Sequence, residues 1–212
     1  MFLKLKQPSP PLQKTTVDWE SQWAQFAPNF HQGKAHIDLT SYGTPKTLLL
    51  KPGPGFGDLS HPTTSLMLRF MNGVIKNETA LDIGCGSGIL SLAALLMGAS
   101  DAYGIDIDGD ALIHARENAR LNQLEKFSHF STSLPNKKKG IVFINMILSE
   151  QKSVLQQIPD LPERASLWIT SGILATQKEE ALTFMSQFGL LLLEEKQKGE
   201  WISLKLGRIK KN

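Results

Sequence analysis

Cysteine is nearly absent from this 212-residue chain, with Cys85 standing alone. That excludes an intrachain disulfide and a thiolate metal cluster. Long apolar runs are missing too: none reaches the roughly 18 residues a membrane span needs. The N-terminus lacks a signal-peptide core, since Lys4 and Lys6 lead into prolines. No membrane partner is expected, and the cytoplasm is the default location. Nor is there a strong charge of one sign. Lys and Arg number 23 against 20 Asp and Glu, a net +3, which neither marks nor excludes a nucleic-acid partner. The two basic clusters, residues 137–139 and 208–211, read as a solvated turn and a tail. No internal repeat is apparent, and the length fits one domain with a sizeable core.

What is present centres on residues 79–91, Thr-Ala-Leu-Asp-Ile-Gly-Cys-Gly-Ser-Gly-Ile-Leu-Ser. An apolar run meets Gly84, Gly86 and Gly88 and then becomes a helical pattern: a strand, a tight turn and a helix start. Glycine suits positions of positive φ or of close ligand approach. Bare amides at the helix N-terminus would suit an anionic or hydrogen-bond-accepting ligand. Ile89 occupies the place of the third glycine of the dinucleotide fingerprint, which weakens a pyrophosphate reading. Cys85 in this turn reads as a small residue fitting a tight bend rather than a nucleophile, because no nearby base is evident.

One unit downstream, residues 101–108 (Asp-Ala-Tyr-Gly-Ile-Asp-Ile-Asp) form a second short strand with an acidic end. In a doubly wound sheet Asp106 would lie beside the glycine turn, able to accept both ribose hydroxyls and to reject a ribose phosphate. Asp82 would receive an ammonium group or brace the turn. A neutral ribose attached to something cationic describes S-adenosyl-L-methionine.

These residues resemble motif I of class I methyltransferases, and the wording from Asp82 to Ser91 is similar to the ribosomal protein L11 methyltransferases of the PrmA type. Further stretches agree in order: Trp19, Trp23, Phe26 and Pro28; Phe56-Gly57 followed by His61-Pro-Thr-Thr64; Asn145-Met-Ile-Leu; and Ser171-Gly-Ile-Leu174 with Gln177. The resemblance spans roughly residues 18–206. It implies a Rossmann-like α/β fold, with a seven-stranded, mostly parallel sheet, one antiparallel strand near the edge and helices on both faces. It also implies methyl transfer from S-adenosyl-L-methionine to protein amines, lysine or N-terminal, with a large-subunit ribosomal protein as target.

By the same resemblance, Phe56, Thr63, Thr64, Asp82, Gly84, Gly86, Gly88, Asp106, Ile107 and Asn145 would hold the cofactor. Asn145 would orient the amine, and His61 would relay a proton or pack the loop. No metal site is implied. Two departures stand out. Asp58, Leu59 and Ser60 replace the family's Gly-Thr-Gly, and only about seventeen residues precede Trp19, where the family carries a domain that grips its ribosomal protein. They keep three alternatives open: another protein, small amine or RNA as acceptor, cofactor binding without catalysis, and a partner protein that supplies recognition.

Along the chain, residues 1–17 are expected to be extended or disordered, 18–60 a helix, an arm and a cofactor-covering loop, and 61–212 the binding core. Asp18 would cap a helix carrying Trp19, Trp23 and Phe26. Residues 36–50 suggest two short strands or an irregular arm, and 51–60, rich in Gly and Pro around Phe56, a cover loop. Thr63 and Thr64 would cap the helix opened by Pro62. Strands at 79–83, 101–105, 127–131, 140–145 and 165–170 alternate with helices at 89–97, 111–121, 149–158 and 177–188. Residues 190–195 and 201–206 flank Gly199 as a hairpin, making the last strand antiparallel.

Overall fold

A computed structural model describes residues 18–27, 29–57 and 60–208. The expected tail at 1–17, Pro28, the departures at Asp58 and Leu59, and most of the second basic cluster lie outside the described residues. Helix α1 (Trp19–Phe26) starts where Asp18 accepts the Ser21 amide. It leads into a small antiparallel sheet of β1 (Phe30–His31), β2 (Lys34–Asp38) and β3 (Thr47–Leu50). After the Gly- and Pro-rich segment come α2 (Pro62–Met71), β4 (Thr79–Ile83), α3 (Ile89–Leu96), β5 (Asp101–Ile105), α4 (Gly109–Leu121) and β6 (Ser128–Ser131). The remainder is β7 (Gly140–Asn145), α5 (Leu148–Gln157), α6 (Leu161–Arg164), β8 (Ala165–Leu174), α7 (Lys178–Ser186), β9 (Leu190–Lys198) and β10 (Trp201–Arg208).

The main sheet has the order β6-β5-β4-β7-β8-β10-β9. Its first five strands are parallel, and β10 pairs antiparallel with both β8 and β9, next to the edge. This is the expected sheet. The strand sequences explain it: both faces of β7 are apolar and the buried positions of β4 depart from this only at Asp82, as a sheet covered on both sides requires. Ile141 and Phe143 point into a core shared with α2, α3, α4 and the N-terminal arm, while Val142 and Ile144 point into a second core closed by α5, α6 and α7. Trp23, Ala35, Leu48 and Leu50 of the arm belong to the first core. Gly140 lets β7 start tight against the Thr79 carbonyl of β4.

Strand β8 runs to Leu174, four residues beyond the expected end. Ser171 and Gly172 interrupt the apolar run but continue the strand, since Ser171 Oγ donates to the Ile202 carbonyl at 2.8 Å and Gly172 takes φ +82° where it passes the Met146 backbone. Strand order reverses between β4 and β7. In such sheets ligands bind in the crevice at that point, outside the carboxyl ends of the strands. Among the described residues no helix is long and apolar enough to cross a membrane.

Candidate functional site

The turn after β4 sits at this crevice. Gly84, Gly86 and Gly88 all take left-handed φ, at +72°, +52° and +81°, a region that L side chains enter at a cost. The amides of the turn itself, Gly84 to Gly88, are already engaged. Those of Gly84 and Cys85 donate to the Ile105 carbonyl, that of Ser87 to the Phe56 carbonyl and that of Gly88 to the Cys85 carbonyl. The Gly86 amide donates to Asp106 Oδ2 at 2.9 Å. An anion at these five amides would displace bonds already made.

A second loop closes over the first. Backbone meets backbone: a Cβ on Gly55 would lie 2.5 Å from Gly86 C and Ser87 N, and one on Gly86 would lie 2.6 Å from the Phe56 carbonyl oxygen. Ser87 Oγ donates to the Gly57 carbonyl at 2.6 Å. The end of β3 and the cover segment are also held along α4 and its C-cap. Asn122 bonds both the amide and the carbonyl of Leu49, Asn118 accepts the Lys51 amide, and His114 accepts the Gly55 amide at 3.2 Å. Asn118 Nδ2 in turn donates to the Ser87 carbonyl, tying α4 to both loops. None of these three residues, two in α4 and Asn122 at its C-cap, is apparent from apolar periodicity. Their signal is the repeated spacing of four, which places polar groups on one flank of the helix.

Of the predicted site residues, Phe56, His61, Thr63, Gly84, Gly86, Asp106, Ile107 and Asn145 line one cavity of about 660 Å³, within the range of small-molecule sites. Asp82, Thr64 and Gly88 lie behind its wall. Asp82 is fully buried, and its Oδ2 accepts from both the amide and the hydroxyl of Ser91 in the first turn of α3, so it braces the turn. Burial pushes its carboxyl up to about 6, against the pull of the Ser91 hydrogen bonds and with a further push from Asp106. Burial, with Asp82 and Asp106, also pushes the Cys85 thiol up, which leaves no thiolate nucleophile at neutral pH. Gly88 packs on Ala115 and Phe130.

Asp106 stands at the cavity edge with Oδ2 on the Gly86 amide and Oδ1 on the Asp108 amide, each oxygen keeping a further lone pair. The next residue, Ile107, is 96% exposed and presents an apolar face beside it.

At the other end of the cavity, His61 is the N-cap of α2. The cap is thus His61 rather than Thr63 or Thr64. Its Nδ1 accepts the Thr63 amide at 3.4 Å and meets Thr63 Oγ1 at 2.8 Å. The imidazole lies edge-on to Phe56 and to Trp201, with centroids 5.9 and 4.9 Å away. Trp201 also lines the cavity, though its sequence context marks only a strand start. Asn145 Nδ2 reaches Thr64 Oγ1 at 3.4 Å, and its Oδ1 carries no hydrogen bond among the described residues. Behind Asn145, the buried Gln151 donates to the Met146 and Ser171 carbonyls at 2.7 and 2.9 Å and accepts from Thr170 Oγ1. This fixes the chain where it leaves β7.

The cavity is therefore lined by the Asp106 carboxylate, the apolar Ile107, the aromatic rings of Phe56, His61 and Trp201, and Asn145, whose Oδ1 carries no hydrogen bond among the described residues. It suits a nucleoside carrying a cationic tail and fits S-adenosyl-L-methionine. Among the described residues no cluster of three or more His, Cys, Asp or Glu could hold a metal ion.

Comparison with known proteins agrees. Residues 6–209 match the family described as ribosomal protein L11 methyltransferase (PrmA). The ribosomal protein L11 methyltransferase of Thermoanaerobacter pseudethanolicus is 31% identical over 198 residues, covering 89% of this chain and 64% of the relative. That of Pseudomonas savastanoi pv. phaseolicola is 37% identical over 183 residues, covering 82% and 63%. The crystal structure of a ribosomal protein L11 methylase from Lactobacillus delbrueckii subsp. bulgaricus superposes with a TM-score of 0.66 at 28% identity, covering 75% of this chain and 83% of that one. The chain spans just under two thirds of the length of the two sequence relatives. With the fold, the glycine turn and the order of motifs all in agreement, the chain belongs to the ribosomal protein L11 methyltransferase family.

Proposed function

We propose that this protein transfers methyl groups from S-adenosyl-L-methionine to protein amines, with a ribosomal protein of the large subunit as acceptor. The observation that supports this most is one cavity joining Asp106 and the glycine turn to Asn145, whose Oδ1 has no partner among the described residues. Asp106 would take the ribose hydroxyls, Ile107 would lie against the base, and Gly84 and Gly86 would leave room for the backbone to approach. The bound cofactor supplies an electrophilic methyl on a sulfonium that is its own leaving group.

The protein then has to hold an acceptor nitrogen in line, which lowers the barrier through orientation. Asn145 Oδ1 accepts a hydrogen bond from the amine and aims its lone pair. An amine of ordinary pKa about 10.4 must shed a proton before it reacts, and desolvation among Phe56, His61 and Trp201 favours the neutral form. His61 would pass that proton towards solvent.

The test is transfer of labelled methyl into a ribosomal fraction that is then treated with protease or nuclease. Label lost to protease supports the reading. Label in RNA or small molecules moves the acceptor elsewhere, and cofactor binding with no labelled fraction points to a binding protein or to a partner that supplies recognition. Asp106→Ala should abolish cofactor binding in a calorimetric titration, and unchanged binding would overturn the ribose assignment.

A further inference from the structure

His114 is buried within α4 and has no contact with the cavity it helps to close. Both ring nitrogens are committed to the cover segment. Nε2 meets the Lys51 carbonyl oxygen at 2.7 Å, and Nδ1 accepts the Gly55 amide at 3.2 Å. Since a carbonyl only accepts and an amide only donates, the ring is the neutral Nε2–H tautomer. The segment runs flat along the imidazole between these two bonds, and a Cβ on Gly53 would lie 2.6 Å from the ring. Gly55 is the residue whose backbone packs on Gly86 and Ser87. The ring acceptor thus holds the Gly55 end of the cover loop over the glycine turn, beside the Ser87 bonds to Phe56 and Gly57.

We propose that His114 is a positioning residue that keeps the cover loop closed over the cofactor site only while its ring is neutral, so that the loop releases as pH falls. This rests on the cofactor reading above. A proton on Nδ1 would turn the acceptor into a donor facing the Gly55 N–H, and the loop loses its anchor at Gly55. The charged groups around the ring are Lys51 of the cover segment and Glu117 of α4, which pair with each other at 3.0 Å. Trp23 of α1 meets the ring edge-on at 5.9 Å and is neutral. Burial is the largest influence and lowers the histidine pKa, so release falls below the ordinary histidine range.

The experiment follows amide exchange of Gly55 in the protein without cofactor from pH 8 to pH 5, expressed as a protection factor, alongside S-adenosyl-L-methionine affinity over the same range. In the wild type, protection and affinity should fall together, up to tenfold per pH unit below the His114 pKa. In His114→Asn the side-chain oxygen stands about where Nδ1 stood and does not titrate, so protection should stay flat. In His114→Ala it should be low at every pH. A flat wild-type profile, or a slope that survives in His114→Asn and so belongs to Asp82, would overturn the assignment. If the variants do not fold, the wild-type His114 ring resonance and the Gly55 amide must titrate together, and separate titrations overturn it equally. Absence of cofactor binding at any pH would instead sink the functional reading, while Gly55 exchange would still test the latch.

Discussion

Replacing Gly55 by alanine tests whether loop-on-loop contact governs cofactor binding. Its new Cβ would lie 2.5 Å from the Gly86 carbon and the Ser87 nitrogen. Both are backbone atoms that cannot rotate away, and Gly86 is anchored through its amide to Asp106. Ordinary contact requires about 3.4 Å, so the loops must part by about 0.9 Å. The bonds that span the gap then fail: Ser87 N to Phe56 O at 2.9 Å, and Ser87 Oγ to Gly57 O at 2.6 Å. At about 1 kcal/mol net for each, closure becomes roughly 2 kcal/mol less favourable.

A ligand that needs the closed loop must supply that difference, so its apparent Kd should rise about thirtyfold. Calorimetric titration with S-adenosyl-L-methionine measures it. Gly109→Ala is the control, since a Cβ there meets nothing within 4 Å at the start of α4. Affinity within threefold of wild type for Gly55→Ala, in a folded protein, would show that the loop contact plays no part in binding.

Asp82 predicts a pH dependence of stability. Its carboxyl sits at about 6 when folded against 3.8 for the ordinary group, so between these values the folded state binds the extra proton. Unfolding free energy should therefore fall as pH rises from about 4 to 6, by about 3 kcal/mol from this group. Chemical denaturation of Asp82→Asn should lack that component, and an identical slope in both proteins would refute it. Gln151→Leu strips the Met146 and Ser171 carbonyls of their buried donor. It should lower stability by about 2–4 kcal/mol and kcat about tenfold, with little change in cofactor affinity, and an equal loss of affinity would mean that Gln151 does not act through the acceptor end. Asn145→Ala should reduce kcat by about a hundredfold with Kd for the cofactor within a fewfold, and a kcat near wild type would remove Asn145 from the acceptor site.

Much of the architecture was legible because its causes are local. Apolar runs ending in Gly84, Asp106 and Asn145 identify parallel strands and the end at which ligands collect. The glycine turn was also legible as a turn, but its chemistry was not. Whether an amide is bare depends on which carbonyl another segment brings to it. For Ser87 that carbonyl comes from Phe56, 31 positions earlier, and no spacing within residues 79–91 encodes it. The same holds for Asp82: its partner Ser91 is nine positions away, within the motif, but only the hand of the turn decides that the carboxylate faces α3 and not the cavity.

The polar flank of α4 escaped for a different reason, and the segment it binds shows how it could be found. A helix reading takes Ala111, Leu112, Ala115 and Ala119 as the inward stripe and assigns the polar remainder to solvent. Residues 49–55 pose the complementary question, because every buried backbone group needs a partner. The chain leaves β3 at Leu50, and Pro52 and Pro54 have no amide to give. A continued strand is therefore impossible, yet Lys51 and Gly55 still carry donors that must be met. Side chains have to meet them, and His114, Asn118 and Asn122 repeat at a spacing of four, about 6 Å along a helix, close to the rise of two residues in an extended chain. That match of periods lets Asn122 and Asn118 meet Leu49 and Lys51, two residues apart, while His114 spans the four residues that follow by meeting the Lys51 carbonyl with one ring nitrogen and the Gly55 amide with the other. A Pro-interrupted segment facing a helix with polar residues every fourth position is thus a docking pattern readable without coordinates, once the unpaired amides are counted first.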